Sequence, residues 1–450
     1  MREYIYKSSP IFGAKGDDFM EFFENMIWLY LTIPLLFVVS VFFTIYARIP
    51  QFRLSKMMNS LQKSDSKEAL TPVATLLIAL SARIGVGTLA GTGLAIAIGG
   101  PGAIFWMWIS AIITSAATFA ENTLSQTFKQ GKSDHHYGGP AFYIKYGLKS
   151  PKLAALYAII LIVTYTLGFV AVQMNTLTAV FSGNINVSPS IIALILTLLT
   201  AITISGGITR ISKFIAKVVP FIAIFFFGLA SVMIIVNFAY VPTFFSEIIT
   251  NAFGLTSITG GGIGVVITTG IKRGIFSNEA GLGTGSHAAA LRHHNDPREQ
   301  GYIGVLGIYL TTIISVTLVA FMIMSTGAHH TVVATGNGIE FLQFSLVQIF
   351  GGVAAIILPT IIFFFGFSTV VTAYLYGVMN IKFLSGRKAA ITILRITLLV
   401  VVFIASTSNP EAMWSLVDTG VGITAIINLV AILLLRKHIG RDDECPDCLK

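Results

Sequence analysis

Two short glycine motifs carry the chemistry of this chain. Gly85-Val86-Gly87-Thr88 and Gly281-Leu282-Gly283-Thr284 each interrupt a long apolar segment. An interruption frees backbone amides where a half-helix starts and carbonyls where its predecessor ends, groups suited to an anion and to a small cation respectively. In a bilayer, backbone outside a helix or barrel is tolerated only where it faces protein or a water-filled cavity. Two such breaks at corresponding places in two halves point to the binding site of a transporter. Gly87-x-x-x-Gly91 also fits close helix packing, so the pair of breaks, rather than either alone, carries the reading.

The elements that must position these motifs are membrane helices. The chain has 450 residues, 54% of them hydrophobic and only 11% charged, with a mean hydropathy of +0.81, which excludes a soluble globular protein. A helix needs ~20 apolar residues to cross a bilayer, and eleven such segments are centred near residues 35, 85, 115, 167, 198, 226, 275, 313, 362, 398 and 424. The first is too long, and its flanks too polar, for a cleaved signal peptide.

A net charge of +9 could suggest a nucleic-acid partner, but the placement of the basic residues marks topology instead, and no nucleic acid is expected. Most Lys and Arg residues fall in alternate connections: Arg48 to Lys67, Lys129 to Lys152, Arg210 to Lys217, Arg292 and Arg298, Lys382 to Arg395, and Arg436 to Lys450. The intervening connections around Ser188, Glu247, Glu340 and Glu411 carry none. The positive-inside rule then places the N-terminus outside and the C-terminus in the cytoplasm of a multi-pass plasma (inner) membrane protein. Cys445 and Cys448 supply too few ligands for a closed zinc site and read as a solvated reduced pair. The pairs His135-His136, His293-His294 and His329-His330 lie in connections, where pH sensing and ordinary surface use look alike.

Around the first break the chain reads Ser81-Ala82-Arg83-Ile84-Gly85-Val86-Gly87-Thr88, then Gly99-Gly100-Pro101-Gly102. Further on come Gly138-Gly139-Pro140 with Tyr143, Gln173-x-Asn175, Gly206-Gly207-Ile208, the run Lys272 to Gly283, Phe367-Ser368-Thr369, and Trp414 with Asp418 and Asn428. Over nearly its whole length the chain resembles the alanine or glycine:cation symporter (sodium:alanine symporter) family. The resemblance implies an all-α leucine-transporter-type fold, a five-plus-five inverted repeat with discontinuous helices 1 and 6. It divides the chain into an extracellular tail (1–22), an additional transmembrane helix 0 (23–47), a cytoplasmic connection (48–72), a first repeat (73–240), an extracellular connection (241–257), a second repeat (258–435) and a cytoplasmic tail (436–450). It further implies sodium-coupled uptake of a small neutral amino acid of the alanine/glycine class, with no cofactor besides the coupling ion. The chain departs from the family pattern at Val86, Thr88, Thr284-Gly285-Ser286 followed by His287, and Thr311. These departures bear on which amino acid is carried and on ion stoichiometry.

By analogy with that fold, amides near Val86 and Gly87 would hold a substrate carboxylate, and carbonyls around Phe276 and Ser277 would accept from its ammonium. Thr88 would add a hydroxyl, and Gln173 a polar contact from the wall unless it serves as interhelical glue. Sodium would sit between carbonyls of Ser81 and Ile84 and hydroxyls of Ser368 and Thr369, although a helical Ser or Thr often bonds only its own preceding turn. Ionisable residues in or near spans, Arg83, Glu121, Lys272, Arg273, Glu279 and Asp418, are costly in hydrocarbon and should pair or face water. Arg83 and Glu279 flank the two breaks and are expected either to pair or to serve separate gates. A channel would favour rings of filter residues around an oligomer axis. An enzyme would show a motif such as His-Glu-x-x-His or a nucleophile elbow, and no such motif, nor a Walker-type loop, is present in the sequence.

Overall fold

The computed structural model describes residues 26–62, 70–132, 135–185, 187–253, 262–292, 296–332, 338–408 and 410–440. The N-terminal tail, Lys63, Lys67, the His293-His294 pair and the Cys445/Cys448 pair lie outside the described residues. In chain order the helices are α1 (Met26–Tyr46), α2 (Leu54–Gln62), α3 (Pro72–Arg83), α4 (Val86–Gly99), α5 (Gly102–Thr127), α6 (Pro140–Tyr146), α7 (Pro151–Asn184), α8 (Pro189–Ile204), α9 (Gly207–Val236) and α10 (Val241–Phe253). They continue with α11 (Gly262–Asn278), α12 (Gly285–Ala290), α13 (Arg298–Met324), α14 (Ala328–Thr331), α15 (Ile339–Phe350), α16 (Ala354–Leu384), α17 (Lys388–Ala405) and α18 (Pro410–Leu434). A short antiparallel hairpin pairs β1 (Gln130–Lys132) with β2 (His135–Tyr137).

Among the described residues, eight helices are long and apolar enough to cross a membrane, and nine if the bent pair α3 and α4 forms one span. The chain is a polytopic membrane protein. Ten of the eleven apolar segments fall on a helix and the one centred near residue 85 on the bent pair α3 and α4, but the length of two falls short. α8 has 16 residues, and α11 has 17 among the described residues, ending at Asn278 just before the second glycine motif. α2 lies within the connection 48–72, and α10 fills most of 241–257.

Local chemistry explains where the site helices start and stop. Thr71 caps α3, its hydroxyl accepting from the Ala74 amide at 3.1 Å, and Pro72 occupies the first turn. α3 and α4 meet at a 46° bend across Ile84 and Gly85. α7 and α13 each contain a wide π-helical stretch, Ile162–Phe169 and Tyr309–Ser315. The interior is closed by α3, α4, the second half of α5, the C-terminal part of α11 and the middle of α16, where most side chains are buried. α9 and α17 instead expose Phe221, Ile224, Ile235, Ile393, Ile396 and Phe403, the surface expected where lipid is the solvent.

Candidate functional site

At the first break, α3 ends in a bond from the Ile84 amide to the Leu80 carbonyl at 2.7 Å, and α4 restarts with Gly85 extended. The Val86 amide donates to Gln173 Oε1 at 2.9 Å. Gln173 therefore acts as a side-chain cap reaching across from α7, and one of the two amides expected for a carboxylate is already engaged. Gly87 faces the second break directly. A Cβ there would stand 2.9 Å from Phe276 Cε1 and 4.0 Å from the Phe276 carbonyl oxygen. Thr88 donates to the Arg83 carbonyl at 2.8 Å, so the 3.0 Å contact between Thr88 and Ser277 hydroxyls has Ser277 as donor. The structure thus brings Val86, Gly87, Thr88, Gln173, Phe276 and Ser277 together.

The second break is bonded far more densely. Glu279, Gly281 and Gly283 all have left-handed backbone, with φ of +56°, +77° and +81°. Glycine adopts it freely, whereas Glu279 must be held there. Its carboxylate accepts from Tyr165 at 2.7 Å and from Thr284 at 2.5 Å. The Ala280 amide donates to Asn278 Oδ1 at 2.9 Å, and the Gly283 amide to Glu121 Oε2 at 3.0 Å. Tyr157 donates to the Leu282 carbonyl at 2.6 Å, and Asn428 donates to both the Gly281 carbonyl and Glu121 Oε2 at 2.9 Å. Tyr143 closes the network on Asn428 Oδ1.

Next to the first break lies a set of neutral oxygens between α3 and α16. Thr369 Oγ1 is 2.8 Å from the Ser81 carbonyl and 2.9 Å from the Phe365 carbonyl, so its one proton is shared between them. Ser368 donates to the Phe365 carbonyl at 3.0 Å. Thr372 joins the group, with its hydroxyl 2.6 Å from that of Ser81. Sequence reasoning passes over Thr372, although it lies three and four residues beyond Thr369 and Ser368 and hence on their helix face. The Ile84 carbonyl lies at the end of α3 and makes no bond to these hydroxyls among the described residues. A hard cation would find only hard oxygen donors here. Gly85 joins this set to the amides, because a Cβ at Gly85 would collide with Thr369 Oγ1 and lie 3.1 Å from Gln173 Oε1.

Over Gly87 the Phe276 ring stacks on Phe169 at 4.6 Å and tilts against Trp414 at 5.1 Å. The Arg273 guanidinium covers both Phe276 and Trp414, at 5.7 and 5.4 Å from their centroids, a cation–π arrangement. Arg273 and Lys272 both reach Asp418 Oδ2, at 3.0 and 2.9 Å. Trp28 donates to the Asp418 carbonyl at 2.8 Å, tying α1 to the same corner. Arg83 and Glu279 are both buried but form no ion pair. Arg83 instead fills a slot left by Gly285 and Gly307 and lies 3.5 Å from the Gly304 carbonyl. His287 stacks on Tyr376 at 5.0 Å and contacts the Thr284 carbonyl and Asn380 Nδ2.

A family model described as the sodium:alanine symporter family matches residues 14–443. The amino-acid carrier protein AlsT of Bacillus subtilis is 37% identical over 92% of this chain and 88% of its own length. The probable sodium/glutamine symporter GlnT of the same organism is 36% identical over 92% of this chain and 87% of its own. The sodium/proton-dependent alanine carrier protein of Bacillus sp. strain PS3 is 32% identical over 83% of this chain and 87% of its own. These relatives are carriers by name, not enzymes.

Proposed function

From the premise that the chain belongs to the sodium:alanine symporter family, and is thus a cation-coupled amino-acid transporter, we propose that it moves a small neutral amino acid, alanine or glycine, together with sodium by alternating access. The observation that carries this is Gly85. One residue without a side chain separates the Gln173-capped start of α4 from Thr369 and the Ser81 carbonyl, so an ion and an amino acid would bind on two sides of one backbone unit.

The substrate carboxylate meets the start of α4 at Gly87, where the helix dipole favours an anion. The ammonium is accepted by the carbonyls of Phe276 and Ser277, and Thr88 lies beside it. The Phe276 ring, pressed between Phe169 and Trp414, limits the side chain to a small one. Sodium takes the Ser81 and Ile84 carbonyls with the Ser368 and Thr369 hydroxyls. With the ion bound, the Thr369 hydroxyl would donate to the Phe365 carbonyl alone, leaving its lone pairs and the Ser81 carbonyl for the ion. Binding either ligand orders the backbone the other needs, and such coupling is reciprocal.

The architecture belonging to this reading is an eleven-span, five-plus-five inverted repeat (73–240 and 258–435) after helix 0, in the plasma membrane with the N-terminus outside. Arg273, Asp418, Trp414 and Phe276 then close the outer path. In a background lacking Cys445 and Cys448, Ser188→Cys and Glu247→Cys should react with an impermeant thiol reagent from outside, and Lys213→Cys and Lys437→Cys from inside; reaction from the opposite face at any one breaks the topology. The function is tested by labelled alanine, glycine and glutamine in proteoliposomes under imposed sodium or proton gradients. Sodium-driven accumulation of alanine or glycine is expected. Accumulation only under a proton gradient, or of glutamine alone, would overturn the ion or the substrate assignment.

A further inference from the structure

Two buried carboxylates flank the second break, and their surroundings differ in a way that reports protonation. Glu279 accepts one O–H on each oxygen, from Tyr165 and Thr284, the pattern that suits an ionised carboxylate. Glu121 receives both of its donors, the Gly283 amide and Asn428 Nδ2, on Oε2. Its Oε1 is buried and has no partner. A bare carboxylate oxygen in a dry interior is costly, whereas a carboxylic acid accepts at one oxygen and carries its proton on the other. The Thr118 hydroxyl, one turn earlier on the same face of α5, has no partner at full hydrogen-bonding distance but interacts with the Glu121 carboxyl, and so offers that proton an acceptor.

The local charge leads to the same assignment. Arg83 of α3, Tyr143 of α6 and Tyr157 of α7 act electrostatically on Glu121, while Glu279 lies on the same break and His287 on α12 just after it. α18 presents the neutral amide Asn428. His287 is neutral, because Asn380 Nδ2 donates to its Nε2 while its Nδ1 faces the Thr284 carbonyl. Lys272, Arg273 and Asp418 form a separate cluster, with the Lys272 side chain 18% exposed. Arg83 therefore balances one carboxylate, and a second ionised one would leave uncompensated charge in the membrane interior.

We propose that Glu121 carries a proton in this conformation, making it a proton-binding site built onto the second break. Losing the proton would charge the group that holds both the Gly283 amide and Asn428, and would draw Arg83 from its glycine slot. Only the use of this proton in a transport cycle rests on the proposed function; its location does not.

Infrared spectra of the purified full-length protein test it without any transport. A carboxylic-acid C=O band should be present in the wild type, missing from Glu121→Gln and retained in Glu279→Gln. Glu121→Asp covers the case in which the amide variant fails to insert, since a retracted carboxyl should shift the band. A wild type without such a band, an unshifted band in Glu121→Asp, or loss of the band in Glu279→Gln instead would overturn the proposal. Sodium-driven alanine uptake by the wild type is read separately, so the two readings fail independently.

Discussion

The two breaks use the same Gly-x-Gly-Thr lettering and are held in opposite ways. The first has one remote cap, Gln173, and a hydroxyl bridge from Thr88 to Ser277. The second is fastened by Glu121, Tyr143, Tyr157, Tyr165 and Asn428, side chains brought from three other helices and the short α6. A buried hydrogen bond contributes about 1 kcal/mol, and an orphaned partner costs about 1–3 kcal/mol. The second break is thus a fixed abutment, and the first keeps backbone capacity for a ligand.

Breaking the network at its hub tests that difference most severely. Asn428→Leu orphans the Gly281 carbonyl and the Tyr143 hydroxyl and strips one donor from Glu121, a loss on the order of 3 kcal/mol or more. The thermal unfolding midpoint in detergent should fall by several degrees, and an unmoved midpoint would show that the second break stands without these bonds. Gly87→Ala should do the reverse. Its Cβ meets Phe276 at 2.9 Å, so equilibrium binding of alanine and glycine should weaken at least about tenfold, ~1.4 kcal/mol, with little change in midpoint. Wild-type affinity in that variant would make the first break a packing feature.

Thr369→Ala removes one proposed ion ligand. The sodium concentration for half-maximal uptake should rise several-fold, for a loss of about 1 kcal/mol, while insertion is kept; an unchanged sodium dependence moves the ion elsewhere. The smallest effect is expected from Thr88→Asn, which keeps a polar side chain beside Ser277. Uptake should persist, with a change of about threefold or less in the alanine-to-glycine preference, and complete loss would show that the hydroxyl itself is required.

These contrasts were only half legible in the sequence. The breaks could be read because glycine inside an apolar run is local information, and Ser368 with Thr369 because the family pattern marks them. Thr372 was passed over, although its place on their face followed from helical spacing alone. The fastening of the second break did not, since Glu121 to Gly283 and Tyr143 to Asn428 join positions 162 and 285 residues apart, and nothing in either neighbourhood names its partner. The separation of Arg83 from Glu279 depends on glycines of α12 and α13 that make room for a guanidinium, which is a matter of volume rather than charge.

The wide stretch Ile162–Phe169 in α7 has a consequence for timing between the two breaks. Tyr165, which holds Glu279, and Gln173, which caps Val86, lie on the same helix eight residues apart. In a regular α-helix that spacing leaves two side chains ~80° out of phase. A stretch bonded i to i+5 turns less per residue and brings them toward one azimuth. α7 thereby acts as a camshaft with two lobes in phase: any roll of this helix reaches both breaks in the same stroke, and losing a single residue from the wide stretch would leave one lobe lagging the other.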